Sequence, residues 1–336
     1  MSEESLLERR KNMQISFLTK PLAKWERFTK DCERRFNYIK YTLKGNAYKA
    51  WTCTFPLGGH QDLVESFIKG AACFNNVELL VNPTKRKLAD TIVYIPGSWR
   101  ALRDVLPLRR AGVINKLIAG PLICFQTVDE HGGIIGDDAI DCYIVASEWV
   151  RREYTKESAR YGLNIKNMQV CPAGVDSLIW SPSDLKNDKN LPRRVMVYVK
   201  GEGLQMYAST LDILNKSGLE TKVLRAGAHV PADYKNMLEW CDFTVVLGGS
   251  ETQGLALTQA WAMNRPTLVY ESDHVVELGR DAAPYITSMT GRKWHNFAEL
   301  IEYIDAVRTC TPRKWVMENQ TNEIVFKKFL DIAAAL

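Results

Sequence analysis

No stretch of the sequence supplies the roughly 18 consecutive apolar residues that a membrane-crossing helix needs, so an integral membrane protein is not expected. The opening MSEESLLERRK has no apolar core of the secretory kind. Histidine is scarce, and the eight cysteines (Cys32, Cys53, Cys73, Cys124, Cys142, Cys171, Cys241, Cys310) form no Cys-x-x-Cys pair and have no histidine at ligand spacing. That pattern argues against a zinc site or a disulfide framework and predicts free thiols, several of them buried, in a reducing compartment. No carboxylate cluster suggests a divalent cation site either. Short repeats and low-complexity segments are also missing. The expectation is a cytoplasmic protein.

What is present fits a globular enzyme. The chain of 336 residues has room for about two domains, and its 46% apolar and 25% charged content allows two real cores. The net charge of +5 suits an anionic ligand or an anionic surface without requiring either. Residues 1–48 read as a charged, helix-prone leader in which Arg and Lys outnumber acids and Leu, Phe, Trp and Tyr are interleaved. Pro21 interrupts it. Such a leader fits helices packed on the body with a solvated basic face, or peripheral contact with an anionic membrane or a nucleic-acid backbone.

Beyond the leader, strand and helix patterns alternate. AWTCTFP, VELLVN, DTIVYIP, GPLICFQT and DCYIVAS read as strands between helical segments over residues 49–183. A polar stretch, WSPSDLKNDKNLPRR, precedes a second series over 184–312 that begins VMVYVKG and includes TKVLRAG, FTVVLGGS and RPTLVYE. Residues 313–336 read as a C-terminal helix returning to the first domain. The alternation predicts α/β architecture: two Rossmann-like, doubly wound domains with parallel sheets, facing each other across a cleft at the carboxyl ends of their strands.

The most informative segment is VVLGGSETQGLALTQAWAMNRPTLVY, residues 245–270. A buried strand ends at Gly248-Gly249-Ser250, the carboxylate of Glu251 follows, and Gly254 opens a helix. Such a corner directs backbone N–H groups at a phosphate or sugar oxygen. Taken alone it is also compatible with plain helix capping.

The segment resembles the signature of family-4-type retaining glycosyltransferases of the GT-B fold, the group containing glycogen- and sucrose-synthase relatives. Glu251 matches the first acid of that signature, and Thr252, Gln253, Gly254 and Leu255 match its turn. Gln259 stands where the family has a second Glu, which holds the ribose hydroxyls. Asn264 and Pro266 take the Gly and Pro places. The run NMQVCPAGVDSLIWSP, through Pro172, Gly174, Val175, Asp176 and Pro182, resembles the family's turn between domains. Gly58 and Gly59 resemble the loop near donor phosphates and acceptor, and Asp129 and His131 lie where the family has a His-bearing loop that touches the donor sugar.

Two further departures from the pattern matter. Lys200 occupies one of two basic positions that grip the pyrophosphate, whereas Gln205 replaces the other, a charge-assisted contact worth about 1.5–3 kcal/mol. Few residues separate VLRAGAHVP from YKNMLEWC, where the family fits a further strand that helps form the base pocket.

The resemblance implies a metal-independent, retaining transferase. Its substrate would be a nucleotide-sugar such as a UDP- or GDP-sugar, with no separate cofactor. The acceptor would be a glycan, lipid or protein. Glu251 and His131 would be catalytic; Gly58, Gly59, Asp129, Lys200, Ser250, Thr252, Gln253, Gly254, Leu255 and Gln259 would bind substrate. A nucleotide-sugar epimerase of the same fold, a degenerate nucleotide-sugar-binding protein and a nucleic-acid modifier guided by the basic leader are the competing readings.

Overall fold

A computed structural model describes residues 13–54, 61–183, 193–201 and 204–336. These form two compact units. One comprises the described residues within 1–36, 54–174 and 322–336; the other comprises those within 37–53 and 175–321.

The first unit is built on a six-stranded parallel sheet of β1 (Met13–Phe17), β2 (Val77–Val81), β3 (Ile92–Ile95), β4 (Lys116–Ala119), β5 (Cys142–Val145) and β6 (Met168–Val170), in the order β2-β1-β3-β4-β5-β6. Strand periodicity explains the two cores. Val93 and Ile95, Leu117 and Ala119, and Tyr143 and Val145 enter one apolar cluster. Tyr94, Ile118, and Cys142 and Ile144 point into another. Both faces are buried, which is why these strands read as nearly continuous apolar runs.

The second unit has a five-stranded parallel sheet of β7 (Arg194–Val199), β8 (Glu220–Arg225), β9 (Phe243–Leu247), β10 (Thr267–Tyr270) and β11 (Gly291–Trp294), in the order β11-β10-β9-β7-β8. Val195, Val197 and Val199 join Phe243, Val245 and Leu247 in one core. Met196, Tyr198 and Val246 face the other. The expected α/β architecture of two parallel-sheet, doubly wound units is present.

Several elements differ from the sequence expectation. Met13–Phe17, placed in a helical leader, is a strand paired on both sides, with Ile15 opposite both Leu79 and Ile92. Its apolar run is too short for helical periodicity to judge, and its partners lie more than 60 residues away. Within the described part of the leader, Lys24–Leu43 is a helix. AWTCTFP is not a strand in its described part: Ala47–Thr52 is a helix whose end is capped by Asn46, which accepts the Lys49 N–H at 2.9 Å.

Residues 120–127 of GPLICFQT are also not a strand; β4 lies just before them. The chain turns at Gly120, with φ of +89°, and Pro121 has no N–H for a ladder. The C-terminal segment is two helices, Pro312–Asn319 and Asn322–Ala335. Between them, the Gln320 carbonyl accepts the Val175 N–H at 2.9 Å, and Val175 forms a parallel bridge with Thr321.

The last helix belongs to the first unit. Its Phe326 and Phe329 enclose Phe67 of the Gln61–Ala71 helix at centroid distances of 4.9 and 4.8 Å. A Cβ at Gly70 would lie 2.5 Å from the Asn322 carbonyl oxygen, so only glycine lets the two helices meet there. The Pro-x-Gly-Val-Asp motif falls where the chain leaves the first unit: the Gly174 N–H donates to Ser66 Oγ at 2.7 Å, and Asp176 Oδ1 accepts the N–H groups of Leu178 and Ile179 at 3.0 Å.

Candidate functional site

In the second unit, neighbouring strands β7 and β9 end together. The Lys200 N–H donates to the Leu247 carbonyl at 2.7 Å. A Cβ at Gly248 would stand 3.1 Å from Lys200 Cβ, so glycine there keeps the two strand ends close. Lys200 consequently meets the residue three beyond that glycine: its Nζ donates to Glu251 Oε1. The Glu251 side chain is only 18% exposed, so the acid does not project into bulk water. Two groups to which sequence reading assigned separate tasks form one ion pair.

The backbone of Glu251 is held from behind. Its N–H donates to the Asp281 carbonyl at 2.8 Å. Asp281 in turn receives Lys293 Nζ at 2.7 Å, and the same ammonium reaches Glu271 at 2.9 Å. Glu271 is buried and also accepts the Ala282 N–H at 3.1 Å. Lys293 thus joins β11, the end of β10 and the loop that fixes Glu251. Lys293→Met should leave two carboxylates without their cation. A loss of about 1–3 kcal/mol is expected, less than for a fully buried pair because the groups retain some solvent, and urea denaturation measures it.

The turn after Glu251 explains its composition. Ser250 is partly buried, Thr252 exposed and Gln253 buried. Gly254 has φ of +72° and ψ of 48°, a left-handed conformation unfavourable for other residues, and opens the Leu255–Ala262 helix. Its carbonyl accepts the N–H groups of Leu257 at 2.9 Å and Thr258 at 3.1 Å. Amides earlier in the first turn have no acceptor within the helix, which makes this end suitable for an anion. Gln259 lies one turn on and is partly buried. Gln205 is exposed at the start of the Leu204–Lys216 helix.

An aromatic group that the sequence reading missed lies near enough to the pair for Glu251 to act electrostatically on two of its members, Tyr198 and Tyr234. Tyr198 lies on β7, two residues before Lys200, which follows the strand's end, and its hydroxyl is 3.3 Å from His229 Nε2. Burial pushes the Tyr198 hydroxyl up to about 12, with the charges of Glu251 and Tyr48 adding to the effect. The Tyr234 ring lies 5.2 Å from that of Tyr198, and its hydroxyl donates to the Ala256 carbonyl at 2.7 Å. Burial also raises Tyr234. These phenols are therefore neutral donors at physiological pH. The period-two spacing of Tyr198 and Lys200 was a usable signal; the positions of His229, Glu271, Asp281 and Lys293 required the fold.

In the first unit, His131 stacks on Trp99 with centroids 4.7 Å apart and planes at 15°. The guanidinium groups of Arg100 and Arg103 lie over the same indole. His131 has φ of +57°, and both following glycines are left-handed. Glu130 organises this turn by accepting the N–H groups of Phe125, Gln126 and Thr127. Burial would raise its carboxyl, but these bonds, first Gln126 and then Thr127, outweigh it and hold the group below its ordinary range. Asp129 is exposed, and its carbonyl accepts the Gly133 N–H at 2.9 Å. Gly58 and Gly59 lie outside the described residues.

No family model and no curated protein matches the sequence. Solved structures do match in fold. The lipopolysaccharide outer core galactosyltransferase WaaB is similar with a TM-score of 0.55 at 10% identity, covering 96% of this chain and 99% of that one. The catalytic domain of starch synthase IV from Arabidopsis thaliana, bound to ADP and acarbose, gives 0.51 at 8% identity over 83% and 78% of the two chains. Anabaena HepE in complex with UDP and glucose gives 0.50 at 13% identity over 97% and 100%. The chain has the two-unit α/β fold of GT-B glycosyltransferases. At these identities the likeness concerns the fold; it assigns no residue a role.

Proposed function

We propose that this protein is a glycosyltransferase of the family-4 type that takes a sugar from a UDP- or GDP-linked donor and passes it to a glycan, lipid or protein acceptor. Retention of configuration and independence of divalent metal are part of the reading. The observation that carries it is the Lys200–Glu251 pair, set at the ends of β7 and β9 beside the helix that Gly254 opens. The fold likeness to the galactosyltransferase WaaB supports it, as does the UDP named with the HepE structure; the starch synthase structure is named with a different nucleoside diphosphate, ADP.

Glycosyl transfer passes through an oxocarbenium-like state while negative charge builds on the departing diphosphate. A catalyst must stabilise that charge and hold the sugar in register with the acceptor oxygen. In this reading the Lys200 ammonium and the first amides of the Leu255–Ala262 helix meet the diphosphate. Glu251 accepts hydrogen bonds from hydroxyls of the transferred sugar, and Gln259 contacts the ribose. Before donor binds, the bond to Glu251 fixes the Lys200 ammonium, so it is already placed when the diphosphate arrives. Ser250, Thr252, Gln253 and Leu255 shape the turn, and His131 and Asp129 are assigned contacts with the sugar. Gly58 and Gly59 keep the role near phosphate and acceptor that the resemblance implies.

The deciding experiment is a panel of nucleotide-sugars scored for calorimetric binding and for slow release of free sugar and nucleoside diphosphate, with and without EDTA. One donor should bind and turn over in chelator, and the released sugar should initially keep its anomeric configuration by NMR. If none of them binds at millimolar concentration, the transferase reading fails; binding without turnover would instead favour a degenerate binding protein.

A further inference from the structure

The Lys24–Leu43 helix has its amphipathicity reversed with respect to a helix packed on a globular body. Its 20 residues span about 30 Å at 1.5 Å per residue. Trp25, Phe28, Cys32, Phe36, Ile39 and Leu43 are separated by steps of three or four, and at 3.6 residues per turn they share roughly 80° of arc. All six are exposed, with Trp25 at 72%, Phe36 at 68% and Leu43 at 83%. The rings of Trp25 and Phe28 lie 5.8 Å apart and form a continuous apolar edge.

The polar side faces inward. The Arg27 guanidinium donates to the carbonyls of Pro21, Asn82 and Pro83 at 2.5, 3.2 and 3.3 Å. Asp31 receives Lys20 at 3.0 Å and Arg34 at 3.3 Å. Charged groups are therefore used to fasten the helix, while six large or sulfur-bearing apolar side chains face solvent. A contiguous patch of this kind marks an interaction surface.

Charge indicates the occupant. The helix carries six basic residues against three acidic ones. Arg35 and Lys40 are exposed at the margins of the apolar stripe. The backbone that Arg27 grips leads directly to Lys85, Arg86 and Lys87, all exposed. Burial lowers the Lys30 ammonium and the nearby Arg100 lowers it further, against the opposing effect of Glu33 and Glu26. A second copy packed stripe to stripe would set these basic margins against each other. An anionic bilayer instead offers acyl chains to the aromatic edge and phosphate groups to its margins.

We infer that the Lys24–Leu43 helix is a docking surface for an anionic lipid bilayer, lying in the plane of the membrane with Trp25, Phe36 and Leu43 below the headgroups. No helix among the described residues is long and apolar enough to cross a membrane, so the contact is peripheral. The inference does not depend on glycosyl transfer.

Flotation of the full chain with vesicles tests it. Binding to phosphatidylcholine–phosphatidylglycerol vesicles should exceed binding to phosphatidylcholine alone by about tenfold or more and should weaken with salt. The combined Trp25→Ser, Phe36→Ser and Leu43→Ser variant should lose about tenfold or more of the binding, with circular dichroism and melting unchanged because those side chains are already exposed. The combined Lys85→Glu, Arg86→Glu and Lys87→Glu variant should lose the preference for anionic lipid. Three results would each overturn the inference: no binding to either vesicle, equal flotation of the serine variant, or a dimer in solution that the serine variant separates.

Discussion

Glu251→Ala is expected to lower turnover at saturating donor by about 10²–10³-fold while the protein remains folded, since removing one preorganised polar contact to the reacting centre typically has that effect. The carboxylate is 18% exposed and bonded to Lys200, and its backbone N–H bond to the Asp281 carbonyl does not depend on the side chain. Loss of a partly exposed ion pair should change stability by no more than about 1 kcal/mol. Lys200→Ala should act mainly on donor affinity through the lost diphosphate contact. If the two side chains work as one unit, the double variant should be little worse than the poorer single variant. Steady-state kinetics with the donor found in the panel measures all three. Turnover near that of the unaltered protein in Glu251→Ala would remove the acid from the mechanism.

Phe67→Ala should have the largest effect on stability, about 3–5 kcal/mol by urea denaturation, as for other buried phenylalanines. The Phe67 ring is 9% exposed and stacks on Phe17 of β1 at 4.7 Å. Its other neighbours are Tyr94 of β3 at 4.8 Å and Phe326 and Phe329 of the last helix at 4.9 and 4.8 Å. One side chain therefore joins β1, its neighbour β3 and the C-terminal helix, and none of these can collapse into the vacated space without disturbing the others. Against a typical total of about 5–15 kcal/mol, the loss is a large fraction. A change below about 1 kcal/mol would mean that the last helix is not held by this cluster.

The candidate site was legible in part. Gly254 and Glu251 stand out because a strand, a glycine corner and a helix start follow one another within a dozen residues, and that geometry is local. Lys200 was recognisable as a basic residue at a strand end, but its bond to Glu251 spans 51 positions in sequence and depends on β7 and β9 being neighbours. The Glu271–Asp281–Lys293 group was not legible, because β11 was not recognised: its four residues, Gly-Arg-Lys-Trp, are half charged and show no strand pattern. Glu130 is similar. An acid beside a loop histidine reads as solvated until its three backbone donors are brought to it.

The sequence by itself determined the α/β class, the parallel character of the sheets and the corner at residues 248–259, because strand runs, helical periodicity and glycine turns are short-range properties of the chain. Tertiary structure decided that Met13–Phe17 is an interior strand, that the C-terminal segment is two helices, and which charges are neighbours. It also decided which face of the Lys24–Leu43 helix meets the body. Periodicity locates an apolar stripe, but only bonds such as those from Arg27 to the Asn82 and Pro83 carbonyls determine whether that stripe turns inward or toward solvent.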